Sequence, residues 1–162
     1  MESSISRRFE RLDIAYKLYQ HQKMYTVADA EKVSFDTDVL EIKNLFLRNK
    51  NKSQYYLISL PADTIISLSD LAVLTGNKRL SFASEADLRM KLGVYPGAVS
   101  ILNAFNDVEK CVIYYISESI LQHGHVAYHP NQNDQTIVFN GAEIPKLLKE
   151  YQVVIMPTIN NS

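Results

Sequence analysis

A single cysteine, no surplus of either charge, no long apolar run and none of the familiar phosphate-binding glycine loops: these absences narrow the 162-residue chain before any motif is read. Cys111 lies in the apolar stretch Cys111 to Ile116, where a packed and inert thiol is expected rather than a nucleophile. One cysteine excludes an internal disulfide framework and a cysteine zinc site. No stretch reaches the ~20 apolar residues that cross a bilayer, and Met1 to Arg11 is charged where a secretory signal would be greasy. A soluble, cytoplasmic protein without membrane contact is therefore expected. Lys and Arg number 17 against 18 Asp and Glu, so no global field recruits nucleic acid, and any RNA contact must be a local patch.

Catalytic signatures of the commoner kinds are missing too. There is no Walker or dinucleotide loop, no serine elbow and no metalloprotease helix. His123 and His125 flank Gly124 with no third ligand nearby, which reads as an exposed turn, and His21 and His129 stand alone in sequence. Neither a metal nor a cofactor is expected.

What is present has the size of one domain, taken as residues 1–162, with a core large enough to fold unaided. Ile5, Phe9 and Leu12 recur at helical spacing, and Tyr16 to His21 looks extended. Thr26 with Asp29 resembles a capping box for a helix to about Val33. A strand carrying Lys43 ends in the polar turn Arg48 to Ser53 and returns as Tyr55 to Leu60, which makes a hairpin. Ser67 or Ser69 can cap a helix ended by Gly76, and Ser84 with Asp87 caps another that stops before Gly93. A short strand, Arg79 to Phe82, lies between them. Further apolar segments run at Val99 to Leu102, Cys111 to Ile116, Val126 to Tyr128 and Thr136 to Phe139. Asn140 then caps a helix with the stripe Ile144, Leu147, Leu148 and Tyr151; Val153 to Met156 adds a strand, and Thr158 to Ser162 reads as a loose tail. Strands outnumber helices without strict alternation, so the fold class is α+β, a compact mixed sheet with peripheral helices.

Three segments carry potential chemistry. In the strand, Val39, Lys43, Leu45 and Leu47 share one face, and Leu40, Ile42, Asn44 and Phe46 the other. An ammonium among leucines either lines a cavity open to an anionic or carbonyl-bearing ligand or snorkels from a half-exposed strand, and both readings stand. The bend Tyr95-Pro96-Gly97-Ala98-Val99-Ser100 can bring backbone N–H groups to an oxyanion, or be an ordinary turn. Tyr128-His129-Pro130-Asn131 is a turn on its own.

Taken together, KNLFLRN at Lys43 to Asn49, KRLSFAS at Lys78 to Ser84, LGVYPGAVS at Leu92 to Ser100 and YHPN at Tyr128 to Asn131 resemble, in order and spacing, the YbaK/ProX family of aminoacyl-tRNA editing domains. The likeness runs from about Leu12 to Tyr151 and is nearest to free-standing deacylases that clear alanine from proline tRNA. It implies a cleft for the 3′ end of a charged tRNA, with hydrolysis of Ala-tRNA(Pro) by a positioned water. Lys43 would match the family's essential lysine and Asn44 the asparagine beside it. Gly97, Ala98, Val99 and Ser100 would form the substrate loop, and His129 would line the amino-acid pocket. One departure is plain: the family loop runs glycine, three residues, proline, whereas Gly97 is followed four positions later by Ile101. Its loss is expected to relax the loop and soften the pocket.

Candidate tRNA contacts are Lys50 and Lys52 in the hairpin turn, Lys78, Arg79, and Arg7, Arg8 and Arg11 on the first helix, each against the alternative of a solvated surface charge. Partners implied are a mischarged tRNA and a prolyl-tRNA synthetase. A binding module that kept the cleft without efficient turnover is the competing reading, motivated by Ile101. Editing of cysteine or serine is a third, which the Lys43-Asn44 pair disfavours.

Overall fold

The computed structural model describes residues 3–21, 35 and 38–159. In chain order the elements are α1 (Ser3–Arg11), β1 (Tyr16–Gln20), β2 (Ile42–Asn49), β3 (Tyr55–Pro61), α2 (Leu68–Thr75), β4 (Leu80–Phe82) and α3 (Glu85–Leu92). A 3-10 helix (Ile101–Asn106) leads into β5 (Val112–Ser117), α4 (Glu118–Leu121), β6 (Val126–Tyr128) and β7 (Gln135–Phe139). A 3-10 turn (Gly141–Glu143), α5 (Ile144–Leu147) and β8 (Gln152–Met156) follow. The helix expected between Thr26 and Val33 lies outside the described residues. Among the described residues no helix is long and apolar enough to cross a membrane.

The α+β class holds, but the strands form two sheets rather than one. A five-stranded mixed sheet has the order β4-β2-β3-β5-β8, with the β2–β3 hairpin and β4 antiparallel and β5 and β8 parallel to β3. A three-stranded antiparallel sheet has the order β1-β7-β6. β3 lies in the middle of the large sheet, and from Tyr55 to Leu60 every residue is buried, as a strand covered on both faces must be. Its alternate residues feed two cores. Leu57 joins Phe46, Val112, Tyr114 and Ile116 against Val126, Tyr128, Ile137 and Phe139 of the small sheet, closed by Ile5 and Phe9 of α1. Tyr56, Ile58 and Leu60 join Leu47, Leu71 and Ala72 on the opposite side, under α2.

Local signals fix the helix ends. Ser67 Oγ accepts from Asp70 N at 3.1 Å and Ser84 Oγ from Asp87 N at 3.0 Å, each reciprocated by the aspartate in a capping box. Gly76 and Gly93 close the same helices at φ 75° and 66°. Asp87 does more than cap: it takes Arg48 Nη1 at 2.5 Å and the Tyr55 hydroxyl at 3.0 Å, tying α3 to the hairpin. Burial alone would raise its pKa, but the Ser84 N–H and hydroxyl, then Tyr55 and Arg48, hold it below the usual carboxylate value.

Three expected elements are shifted. Val99 to Leu102 is not a strand; Ser100 caps the 3-10 helix beginning at Ile101, because its hydroxyl accepts from Leu102 N at 3.1 Å. Asn140 caps only the turn Gly141–Glu143, and a separate short helix, Ile144–Leu147, follows with Pro145 in its first turn. Ile159, assigned to a loose tail, packs on the second core.

Candidate active site

The alternation expected in the lysine strand is observed. Leu45 and Leu47 contact the second core, and Leu40, Ile42 and Phe46 the first. Lys43 and Asn44 therefore leave β2 on opposite faces. The Lys43 ammonium, half-buried, donates to the Thr64 carbonyl in the turn after β3. An ammonium has three donors, so two remain for an anion or an ester oxygen.

The two sheets meet at one place that decides the site. Leu40 forms a parallel bridge with Val126, and both side chains enter the first core. Three residues further along these parallel segments come Lys43 and His129. Side chains alternate, so Lys43 leaves β2 on the face opposite Leu40, shared with Leu45 and Leu47, and the same count puts His129 opposite Val126 and Tyr128, away from the first core. Sequence distance concealed this bridge between the two sheets.

His129 is set by its neighbours. Its Nδ1 lies 2.9 Å from the Gln135 carbonyl, and its ring is edge-on to His21 at 6.2 Å, whose Nε2 lies 2.8 Å from Thr136 Oγ1. Burial lowers the His129 pKa most, the Gln135 carbonyl opposes this, and His21 lowers it further. The imidazole is thus neutral at neutral pH, with Nδ1–H given to Gln135 and Nε2 left as an acceptor.

Asn44 faces inward, opposite Ser59 in the hairpin register, and accepts from its hydroxyl at 2.5 Å. Tyr128, the residue before His129, points to the same side; its buried hydroxyl makes no conventional hydrogen bond among the described residues. Burial raises the Tyr128 pKa, and only the nearby Ser59 hydroxyl counters it. Asn44, Ser59 and Tyr128 thus lie on the side of the first core, opposite the face of β2 that carries Lys43.

The glycine bend is fastened to the histidine segment. Gly97 has φ 95°, a left-handed conformation that side chains disfavour. Asn103, fully buried, accepts from Ser100 N at 2.7 Å and donates to the Ala98 carbonyl at 3.2 Å and to Asn131 Oδ1 at 2.7 Å. The Tyr95 hydroxyl donates to Asn133 Oδ1 at 3.0 Å and accepts from Asn133 N at 3.2 Å. Ala98 and Ser100 are buried, Val99 half-buried, and Gly97 exposed at the crest. These clamps, Asn103 and Tyr95, were not singled out in the sequence; the Ser100-to-Asn103 spacing of a capping box was the available signal.

Ile101 answers the question left by the missing proline. It is the first residue of the 3-10 helix and fully buried. Proline favours that position because its absent N–H is not needed there, so isoleucine can occupy it while the capping box holds the bend. Lys50, Lys78 and Arg79 are exposed. Lys50 and Arg79 flank one shallow cavity at the hairpin turn, about 23 Å along β2 from Lys43 at the usual rise per residue. Among the described residues no group of three potential metal ligands occurs.

Comparison with known proteins agrees with this architecture. The aminoacyl-tRNA editing domain family matches residues 21–147. The chain is 32% identical over 148 residues to the prolyl-tRNA editing protein ProX of Acetoanaerobium sticklandii, spanning 91% of this chain and 90% of that one. It is 30% identical over 141 residues to prolyl-tRNA synthetase associated domain-containing protein 1 of Bos taurus, spanning 85% and 82%. The crystal structure of hypothetical protein APE2540 shares the fold with a TM-score of 0.72 at 15% identity, covering 96% of this chain and 98% of that one. That of a candidate trans-editing enzyme for prolyl tRNA synthetase gives 0.67 at 17%, covering 96% and 98%. The chain belongs to the aminoacyl-tRNA editing domain family.

Proposed function

We propose that this protein is a trans-acting hydrolase that deacylates mischarged tRNA, with alanine on proline tRNA as its substrate, and that it works in the cytoplasm without a metal. The observations that support the proposal are the Leu40–Val126 bridge, which sets the segments leading to Lys43 and His129 side by side, and the glycine bend clamped to the residues that follow the histidine. An aminoacyl ester is already reactive, so positioning and backbone donors suffice. Lys43 anchors the terminal adenosine's phosphate or the ester oxygen with the ammonium protons that Thr64 leaves available. With Ala98 N given to the Tyr95 carbonyl and Ser100 N to Asn103, the Gly97 and Val99 N–H groups are the bend's donors for the aminoacyl carbonyl. The neutral His129 lines the pocket and, through Nε2, orients the attacking water. Water adds to the carbonyl carbon, the bond to the ribose oxygen breaks, and that oxygen takes up the proton.

Asn44 acts as a positioning residue, holding β2 against Ser59 so that Lys43 keeps its face. Discrimination by one methylene amounts to only ~1–3 kcal/mol, which is why a second sieve that admits alanine and excludes proline by size is useful to a prolyl-tRNA synthetase. The test is a panel of tRNAs charged with alanine, cysteine, serine and proline, incubated with purified protein. Release of alanine from proline tRNA ahead of the others is expected; equal release of proline would overturn the assignment.

A further inference from the structure

One cluster of positive charge in this nearly neutral chain lies where α1 meets α5 and the turn after it. A cavity of about 200 Å³ there is lined by Arg8, Arg11, Lys146 and Lys149 with Leu12 and Leu147, and by one carboxylate, Glu150. Glu143 lies 3.5 Å from Lys146 Nζ on the outer side. Four cations facing two carboxylates, in a protein of net charge −1, form a local field of one sign. Arg8 and Arg11 are three residues apart on α1, the spacing that puts helical side chains side by side, while Lys146 lies on α5 and Lys149 in the turn after it.

The site is built rather than merely charged. The Arg8 guanidinium lies 4.4 Å from the centre of the Phe105 ring, and Phe105 packs near Tyr151 with centroids 6.3 Å apart. Burial raises the Tyr151 pKa while Arg8, beside its hydroxyl, opposes the rise. A guanidinium seated on an aromatic ring loses less freedom when it binds an oxyanion. Phe105 also belongs to the 3-10 helix whose first residues shape the glycine bend. From Ser100 to Phe105 this helix spans about 10 Å at 2 Å per residue. Arg8, which lines the cavity, therefore rests on the far end of the short helix that starts at the substrate loop.

We infer that Arg8, Arg11, Lys146 and Lys149 bind the phosphodiester backbone of the tRNA acceptor stem while its 3′ end occupies the proposed site at Lys43 and His129, an inference that rests on the proposed editing function and assigns its RNA-docking surface. An acidic protein surface is the other occupant such a cavity could take. The RNA is favoured because Arg8 of the cavity rests on the helix that begins at the substrate loop, and because several cations side by side suit successive phosphates.

The test measures fluorescence anisotropy of an uncharged acceptor-stem hairpin ending in CCA against the full chain at 50 to 300 mM salt, alongside deacylation kinetics. The double variant Lys146→Gln/Lys149→Gln removes two exposed charges, and Arg8→Gln removes the seated one. Arg89→Gln, on the exposed side of α3, controls for total charge. The lysine pair is expected to weaken binding about tenfold near 0.1 M salt and to flatten the dependence of log K on log salt by about 0.7–0.9 for each phosphate no longer neutralised. KM for mischarged tRNA should rise with kcat unchanged, and Arg89→Gln should match the wild type. An unchanged slope, an equal loss with Arg89→Gln, or stronger binding of poly-glutamate than of the hairpin would overturn the inference. If the wild type releases amino acid while the lysine pair keeps its KM and slope, only the docking surface fails. If no amino acid is released yet the slope flattens as expected, the docking surface stands and the editing function fails.

Discussion

Replacing Asn103 by alanine tests whether the glycine bend is held by the histidine segment. The side chain is fully buried and makes three hydrogen bonds, from Ser100 N and to the Ala98 carbonyl and Asn131 Oδ1. Alanine leaves three polar groups in a site where Ser100 is fully buried and Asn131 is 6% exposed. Each orphaned buried group costs about 1–3 kcal/mol, and partial rehydration of the loop favours the low end, so the loss is about 3 kcal/mol. For a chain of this size that corresponds to a fall in Tm of about 6–12 °C. Urea unfolding should give a lower midpoint at unchanged m. Under conditions where the variant remains folded, kcat/KM for mischarged tRNA should still fall at least tenfold, because the backbone donors are no longer fixed. A loss under 1 kcal/mol with normal turnover would refute the clamp.

Further outcomes follow from other sites. Gly97→Ala forces a side chain into φ 95°, costing about 1–2 kcal/mol, and should lower turnover more than stability, checked by paired kinetics and melting. Gly141→Ala would place a methyl 1.9 Å from the Ile120 carbonyl oxygen, so loss of soluble folded protein is expected on expression and circular dichroism. His129, with its folded pKa lowered by burial, favours the native state fully above the ordinary histidine range and loses that contribution as pH falls through about 6.5 toward the lower folded value. Accordingly kcat/KM should show no His129-dependent inflection near 6.5. An inflection there that disappears in His129→Ala would contradict a neutral imidazole in the site.

Much of the fold could be read from local chemistry. Ser67 with Asp70 and Ser84 with Asp87 marked their helices because a capping box is a four-residue event, and the alternation about Lys43 gave its face correctly. The split into two sheets was not legible, since it depends on β1 pairing with β7 across more than a hundred residues. Nor was the single bridge between Leu40 and Val126 that brings β2 alongside β6. Gly141 carried no signal in the sequence; the packed carbonyl of Ile120 is what leaves no room for a side chain there. Ile101 looked like a defect in the loop and proves to be a buried helix start, a difference set by tertiary packing.

The most direct measurement is the multiple-turnover release of alanine from Ala-tRNA(Pro) by the wild type and by Lys43→Ala. Catalysis by the wild type with a loss of two or more orders of magnitude in the variant, at unchanged melting temperature, is the predicted result. Equal rates for the two proteins would remove the lysine from the chemistry and contradict the account.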